Sequence, residues 1–186
     1  MSNTFQSVKG LNVKNVTISA YLDCFIDAYI LSKSYRYDIK GRSYIDTPLK
    51  YYFTDIGLRN ARLNFRQQEE NHIMENIIYN ELVARGFNVD VGVVEYNHLD
   101  ENGKKVRSML EVDFVVNKTE KRYYIQSALT VADEYKRKQE VNSLNRINDS
   151  YTKIVVVRDN VLPWTDEKGV MYINIEDFLL EKINEL

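Results

Sequence analysis

Glu111, Asp113 and Gln126 are the residues of this chain whose types and spacing could do chemistry. The segment 107–128, RSMLEVDFVVNKTEKRYYIQSA, predicts two strands of a hairpin, with both acids on the first strand and the amide on the second. Because side chains alternate between the faces of a strand, Glu111 and Asp113 share one face. Carboxylates so placed can hold a divalent cation against a phosphodiester, as in a metal-dependent nuclease. They are therefore the candidate metal ligands.

Such a site also uses a carboxylate and a lysine on the second strand, and the sequence there departs from that requirement. It reads Gln126-Ser127-Ala128. A Gln carbonyl binds a hard cation more weakly than a carboxylate does, and alanine supplies nothing. A glutamate from the preceding predicted helix, Glu75 or Glu81, is expected to complete the site. Asp113 and Gln126, with Glu75 or Glu81, are the candidate catalytic positions of a site that we expect to be degenerate.

Two alternatives remain open for this site. In the first, catalysis survives because a lysine reaches it from the following predicted helix, as Lys136 or Lys138, and Mg²⁺ is then the expected cofactor; otherwise we expect no cofactor. In the second, Glu111 and Asp113 are ordinary polar residues of a half-exposed strand, paired with Arg107 or Lys121.

Length and composition suit one medium domain, or a small domain joined to a larger one. The 186 residues are 44% hydrophobic and 28% charged, so a packed core is expected. With a single cysteine, Cys24, no intrachain disulfide can form, which indicates a reducing compartment. No apolar run approaches the roughly 18 residues that span a bilayer, and the start has no apolar signal core. We therefore expect a soluble, cytoplasmic protein with no membrane partner.

Charge is distributed unevenly along the chain. Residues 1–66 hold ten Lys and Arg against five Asp and Glu, whereas residues 67–186 hold fifteen against twenty-two. A basic region of this kind attracts nucleic-acid phosphates, so DNA is a candidate partner. The alternatives are an ordinary solvated surface or a surface that docks on another domain. The candidate nucleic-acid-binding residues are Lys33, Arg36, Lys40, Arg42 and Lys50.

The N-terminal part predicts helices followed by a hairpin. Residues 3–9 suit a short helix, and Thr17 caps a longer one in which apolar residues recur at a spacing of three or four through Ile30. A turn signal at Lys40-Gly41 predicts a hairpin, and a further short strand follows Pro48. This order matches the latter part of a winged helix-turn-helix, so we assign residues 1–60 to a partial winged helix.

The second part, residues 61–186, predicts an α/β domain with the order α-β-β-β-α-β and a further strand and helix. Residues 55–60 read as a connecting turn. The predicted elements are a helix over 68–85 ended by Gly86, strands over 87–96, 107–116 and 122–127, a helix over 132–147, strands over 153–157 and 170–173, and a helix over 175–183.

Four motifs resemble the C-terminal region of a prokaryotic family of AAA-type ATPases, in which a P-loop ATPase precedes a winged helix and a terminal domain. They span most of the chain: Thr17-Ile18-x-x-Tyr21-Leu22-x-x-x-x-Asp27-Ala28, Thr47-Pro48-Leu49-Lys50-Tyr51-Tyr52-Phe53-Thr54-Asp55-Ile56-Gly57-Leu58, Met74-Glu75-Asn76-x-x-x-x-Glu81-Leu82 and Glu111-Val112-Asp113-Phe114-Val115.

The resemblance implies a restriction-endonuclease-like fold of the PD-(D/E)XK class for the terminal domain. It places Glu75, Asp113 and Gln126 at the nuclease-like site. The P-loop signature G-x-x-x-x-G-K-[ST] does not occur among the seven glycines, so ATP hydrolysis is not expected, and the chain is expected to be a fragment or a truncated product. The expected function is DNA binding or partner recognition in a degenerate nuclease-like module of an ATPase. The alternatives are a Mg²⁺-dependent endonuclease and a structural, homo-oligomer-forming domain.

Overall fold

The computed structural model describes residues 12–66 and 69–182, and the helix predicted over residues 3–9 lies outside them. Its helices are α1 (Asn15–Asp27), α2 (Ile56–Arg62), α3 (Glu70–Ala84), α4 (Glu134–Glu140) and α5 (Ile175–Asp177), with a 3₁₀ turn at Leu144–Arg146 and a π-helical turn at Phe178–Lys182. Its strands are β1 (Leu31–Asp38), β2 (Ser43–Phe53), β3 (Asn88–Leu99), β4 (Lys105–Lys118), β5 (Lys121–Ala128), β6 (Thr152–Val157), β7 (Trp164–Thr165) and β8 (Val170–Asn174).

Within the described residues, the strands form one eight-stranded mixed sheet in the order β2-β1-β3-β4-β5-β6-β8-β7. The strands β3, β4 and β5 form an antiparallel meander, and β5, β6 and β8 are parallel. The α/β class is therefore confirmed, and α3-β3-β4-β5-α4-β6 follow one another in the predicted succession. Parallel pairing after β5 requires a crossover, which α4 and the 3₁₀ turn supply.

Apolar side chains cover both faces of the sheet. The face toward α3 is built around Ile78, Leu82, Phe114, Ile125 and Ile154. The opposite face, toward α4 and the 3₁₀ turn, is built around Val112, Val115, Tyr124, Leu144 and Val155. Consecutive residues of β4 to β6 thus serve different layers, as a sheet buried on both sides requires. No helix in these ranges is long and apolar enough to cross a bilayer.

The N-terminal hairpin belongs to the same sheet as the rest of the chain. β1 pairs with β3 in parallel, from Arg36–Asp38 to Val91–Val93. The end of β2 instead lies against α3, where the ring of Tyr52 stacks on Tyr79 with centroids 3.9 Å apart. The winged helix and the domain boundary at residue 60 stay predictions.

The prediction for the first helix is wrong in two respects: where the helix ends, and which of its apolar side chains are buried. α1 ends at Asp27, because Tyr29 takes a left-handed conformation with φ 56° and Ile30 N–H bonds back to the carbonyl of Phe25. Of the helix side chains only Ile18 is buried, whereas Phe25 is 46% exposed and Tyr29, past its end, 84% exposed. Periodicity identified the helix but not what covers it.

Two further local predictions are wrong. Pro48 does not separate two strands, because β2 runs unbroken from Ser43 to Phe53 at the edge of the sheet, where a residue without N–H is tolerated. Residues 56–62 form helix α2 rather than a turn. Asp55 caps this helix through a 2.9 Å hydrogen bond that Leu58 N–H donates to its carboxylate.

A one-residue irregularity in the β3–β4 ladder shapes the sheet beside the candidate site. The register shifts between Asp90 and Gly92 of β3, so that Asp113 and Phe114 of β4 lie opposite Val91 alone. Such a bulge bends a strand and redirects its side chains. Because of this bulge, the side chains of the consecutive residues Asp113 and Phe114 both lie on the α3 face of the sheet.

Gly92 is required by this packing. A Cβ there would lie 2.8 Å from Val115 Cγ2 and 2.9 Å from both Ile39 Cδ1 and Val112 Cβ. We expect Gly92→Ala to lower the free energy of unfolding by about 2 kcal/mol through overpacking. The matched control is Gly57→Ala in α2, where the added Cβ meets one side-chain oxygen at 3.0 Å; it should stay within about 1 kcal/mol of wild type. Urea unfolding measures both, and equal stability of the two variants would contradict this expectation.

Candidate functional site

The end of β2 is anchored over the α3 face of the sheet by backbone and side-chain hydrogen bonds. Phe53 N–H donates to Asn76 Oδ1 at 2.9 Å, and Asn76 and Asn80 both donate to the Phe53 carbonyl, at 2.7 and 2.9 Å. Asn76 is buried, so its amide replaces the ladder partners that an edge strand lacks. This anchoring sets the position of Lys50, three residues earlier.

Lys50 is the centre of the candidate site. Its Nζ lies 2.6 Å from Glu75 Oε1 of α3 and 2.8 Å from Glu111 Oε1 of β4. The hydroxyl of Tyr52 donates to the same Glu75 oxygen at 2.8 Å. Arg36 of β1 adds a second cation, 2.7 Å from Glu111 Oε2. We call Lys50, Glu75, Glu111, Asp113 and Arg36 the ionic cluster.

The pKa values of the cluster follow from competition between burial and charge. Burial lowers the pKa of Lys50, but Glu75 and Glu111 outweigh it, so the pKa of Lys50 is raised. Burial raises the pKa of Glu111, but Lys50 and Arg36 outweigh it, so the pKa of Glu111 is lowered. Burial and the Glu75 charge raise the pKa of Tyr52, which stays a hydrogen-bond donor. The cluster is therefore ionised at Lys50 and Glu111.

Asp113 is the most deeply placed acid of the cluster. Burial, followed by repulsion from Glu75, raises its pKa to about 7, although a 2.8 Å hydrogen bond from Ser127 N–H acts in the opposite direction. That hydrogen bond joins β4 to β5 just beyond the last pair of their ladder, Phe114 with Ile125. The carboxyl of Asp113 thus links β4 to β5 beyond the end of their backbone hydrogen-bond ladder.

Gln126 does not share a face with Asp113. Its neighbours Tyr124 and Ala128 belong to the layer under α4, whereas Ile125 belongs to the α3 layer, and strand alternation places Gln126 with the former. Only its amide oxygen approaches, accepting a weak 3.3 Å hydrogen bond from Asp113 N–H. The β5 residue on the face of Asp113 is Ser127.

The structure brings together some of the residues singled out from sequence and separates others. Glu75, Glu111 and Asp113 meet, and Arg36 and Lys50, predicted to contact nucleic acid, join them. The other predicted nucleic-acid-binding residues, Lys33, Lys40 and Arg42, are exposed outside the cluster.

The predicted replacements lie elsewhere. Lys138 pairs with Glu134 on exposed α4, and Lys136 is exposed on the same helix. Glu81 pairs with Arg85, and Arg107 with Glu95 rather than with either candidate acid. The missed element is the role of Lys50: no local pattern shows that an edge strand will place it between α3 and β4.

The geometry bears directly on metal binding. Among residues 12–66 and 69–182, no group of three or more His, Cys, Asp and Glu side chains is arranged to hold a metal ion. In the ionic cluster, the position between Glu75 and Glu111 holds the ammonium of Lys50. The residues present are therefore arranged around an internal cation.

Comparisons with known proteins identify relatives of this chain. The model of a domain of unknown function, DUF8612, matches residues 3–69. An uncharacterized protein of Haemophilus influenzae is 31% identical over 181 residues, which cover 97% of this chain and 41% of that relative. The chain thus spans 41% of the length of the curated relative it matches. No solved structure matches. The family match includes Arg36 and Lys50 but ends before Glu75.

The ion pairs of Lys50 should stabilise the fold. We expect Lys50→Met to lower the free energy of unfolding by about 2 kcal/mol, because it leaves Glu75 and Glu111 without their shared cation. Lys33→Met, an exposed lysine on the same hairpin, should change it by less than about 0.5 kcal/mol. Urea unfolding at neutral pH tests both; a Lys50→Met protein as stable as wild type would contradict the structural role.

Asp113 should make stability depend on pH. Its pKa in the folded state, about 7, lies above the ordinary aspartate value of 3.8. The native state therefore binds a proton that the unfolded state has lost, and stability falls as pH rises through this interval. Relative to Asp113→Asn, the wild type should lose on the order of 4 kcal/mol between about pH 4 and about pH 8. A stability difference that does not vary with pH would contradict the raised pKa.

Proposed function

We propose that this chain is a non-catalytic recognition module with a restriction-nuclease-like fold, which operates beside an AAA-type ATPase domain in a longer protein. The fold part of this proposal is supported by the succession α3-β3-β4-β5-α4-β6, in which β3 to β6 are neighbours in that order. The longer protein is supported by the Haemophilus influenzae relative, of which the chain spans 41%.

The proposed loss of catalysis rests on one observation: the ammonium of Lys50 lies between Glu75 and Glu111. A divalent cation bridging those carboxylates would have to displace an ammonium that already lies 2.6 and 2.8 Å from them. Electrostatic repulsion between Lys50 and the metal would oppose this exchange. Asp113, with its pKa raised to about 7, supplies a full negative charge only above that pH.

The second strand of the site supports the same conclusion. On the face of Asp113, β5 offers Ser127 and, one alternation further, Leu129, which packs against the α3 layer. Neither side chain supplies a carboxylate or an ammonium. What remains is a fixed charge network suited to holding β2, α3 and β4 together while other surfaces bind DNA or a partner.

A Mg²⁺-dependent endonuclease is the second candidate, and one observation favours it. Lys50 places an ammonium beside Glu75 and Glu111, so the lysine missing from β5 is replaced in kind from another strand. In that function Asp113 is the principal ligand and Lys50 stabilises the attacking hydroxide. The lysine would first have to leave its ion pairs.

A cleavage assay separates the two candidates. Plasmid and single-stranded DNA are incubated with Mg²⁺ or Mn²⁺ and with wild type, Asp113→Asn or Lys50→Met. We expect wild type to cleave no faster than Asp113→Asn, because the cation position is filled by Lys50. Cleavage by wild type that Asp113→Asn abolishes would overturn the proposal in favour of the endonuclease, and loss of that cleavage in Lys50→Met would identify the lysine.

A further inference from the structure

A cleft on the face of the sheet opposite the ionic cluster is lined by three cations and by aromatic rings. It has a volume of about 460 Å³ and lies between the β1–β2 turn, the start of β5 and the segment before β6. Lys40 and Arg42 come from the turn, Arg122 from β5, and Asp149 and Tyr151 from the last segment. Ile39 and Ile147, which belong to the layer under α4, form its floor.

The three cations of the cleft differ from the two cations of the ionic cluster, Arg36 and Lys50, in having no carboxylate partner among the described residues. Arg36, Lys50, Arg85 and Arg107 all form ion pairs, whereas within the described residues Lys40, Arg42 and Arg122 form none within 4.0 Å. The Nζ of Lys40 donates to a neutral carbonyl, that of Glu95, at 2.7 Å. Three positive charges around one cleft attract an anion with several acceptor oxygens.

The arginine at the base of the cleft is held in place by its neighbours. The guanidinium of Arg122 lies over the rings of Tyr37 and Tyr151, 5.2 and 5.4 Å from their centroids. Its Nε donates to Asn117 Oδ1 at 2.7 Å. A charge fixed in this way is preorganised for a ligand, because little side-chain entropy remains to be lost on binding.

The acid of the cleft is already engaged. Asp149 accepts a 2.6 Å hydrogen bond from the Tyr124 hydroxyl and a 3.2 Å hydrogen bond from Tyr151 N–H. Its carboxylate thus fixes the segment that carries Tyr151, whose side chain is 44% exposed at the rim. An exposed aromatic ring beside a group of cations can stack on a base while the cations hold the phosphate.

We propose that this cleft binds a phosphorylated nucleotide unit, with Lys40, Arg42 and Arg122 on the phosphate and the ring of Tyr151 against the base. This inference rests on the proposed recognition function and names its ligand. It does not depend on the absence of catalysis, because the cleft and the ionic cluster lie on opposite faces of the sheet. A free mononucleotide and a unit of single-stranded nucleic acid share this chemistry.

Fluorescence anisotropy with a labelled oligothymidylate tests the cleft. The double variant Lys40→Gln/Arg42→Gln, which changes two exposed side chains, should bind about tenfold more weakly than wild type. The slope of log affinity against log salt should fall by about 1.4, since two phosphate contacts are lost. Tyr151→Ala should weaken binding by a similar factor with the salt slope unchanged. The matched control, Lys104→Gln/Lys105→Gln at the β3–β4 turn, removes the same charge outside the cleft.

Competition with adenosine monophosphate distinguishes the two sources of ligand, and either answer supports the cleft. Displacement of the oligonucleotide indicates that an isolated nucleotide suffices; no displacement indicates a single strand held at several units. Absence of binding by wild type, equal loss in the cleft and control variants, or preference for duplex over single strand would overturn the inference. Cleavage measured separately would overturn the non-catalytic part of the proposed function and leave this inference standing.

Discussion

The ion pairs of the Lys50 ammonium are the interaction on which the arrangement of β2, α3 and β4 around the candidate site depends. The ammonium joins an edge strand, a helix and a central strand through two short contacts, to Glu75 and Glu111. Without a cation there, these acids and Asp113 would repel one another in a poorly solvated region, a penalty that the raised pKa of Asp113 already shows. The lysine therefore adds to the hydrogen bonds that hold the end of β2 against α3, and it neutralises the acids beside it.

The backbone around Asp113 also shapes the candidate site. The register shift opposite Val91 turns the side chain of Asp113 toward α3. Gly92 leaves β4 the space for this shift, since a Cβ at position 92 would not fit. At the same level the β4–β5 ladder ends, and Asp113 accepts the hydrogen bond of Ser127 N–H in its place. A residue that looks like a metal ligand in sequence thus also has a structural task.

Much of this could be predicted from sequence, and the failures have physical causes. Strand periodicity found β3 to β6, and alternation placed Glu111 and Asp113 on one face. Gln126 does contact Asp113 across the strands, but only through the backbone N–H of Asp113, because the β3–β4 bulge turns the Asp113 side chain to the other face, which pattern matching does not foresee. The role of Lys50 depends on a contact between segments 61 residues apart, which no local pattern encodes. The apolar side of α1 illustrates the same limit, since periodicity predicts a face and not its partner.

The two faces of the sheet differ in how their cations are paired. On the α3 face Arg36 and Lys50 form internal ion pairs; on the opposite face Lys40, Arg42 and Arg122 form none with any acid that the structure describes. Manganese binding tests the central claim most directly, by calorimetric titration of wild type and Lys50→Met. We expect no binding to wild type and measurable binding to Lys50→Met, in which the position between Glu75 and Glu111 is vacated. Manganese binding by wild type that Asp113→Asn abolishes would contradict the claim that Lys50 occupies the position a metal ion would need.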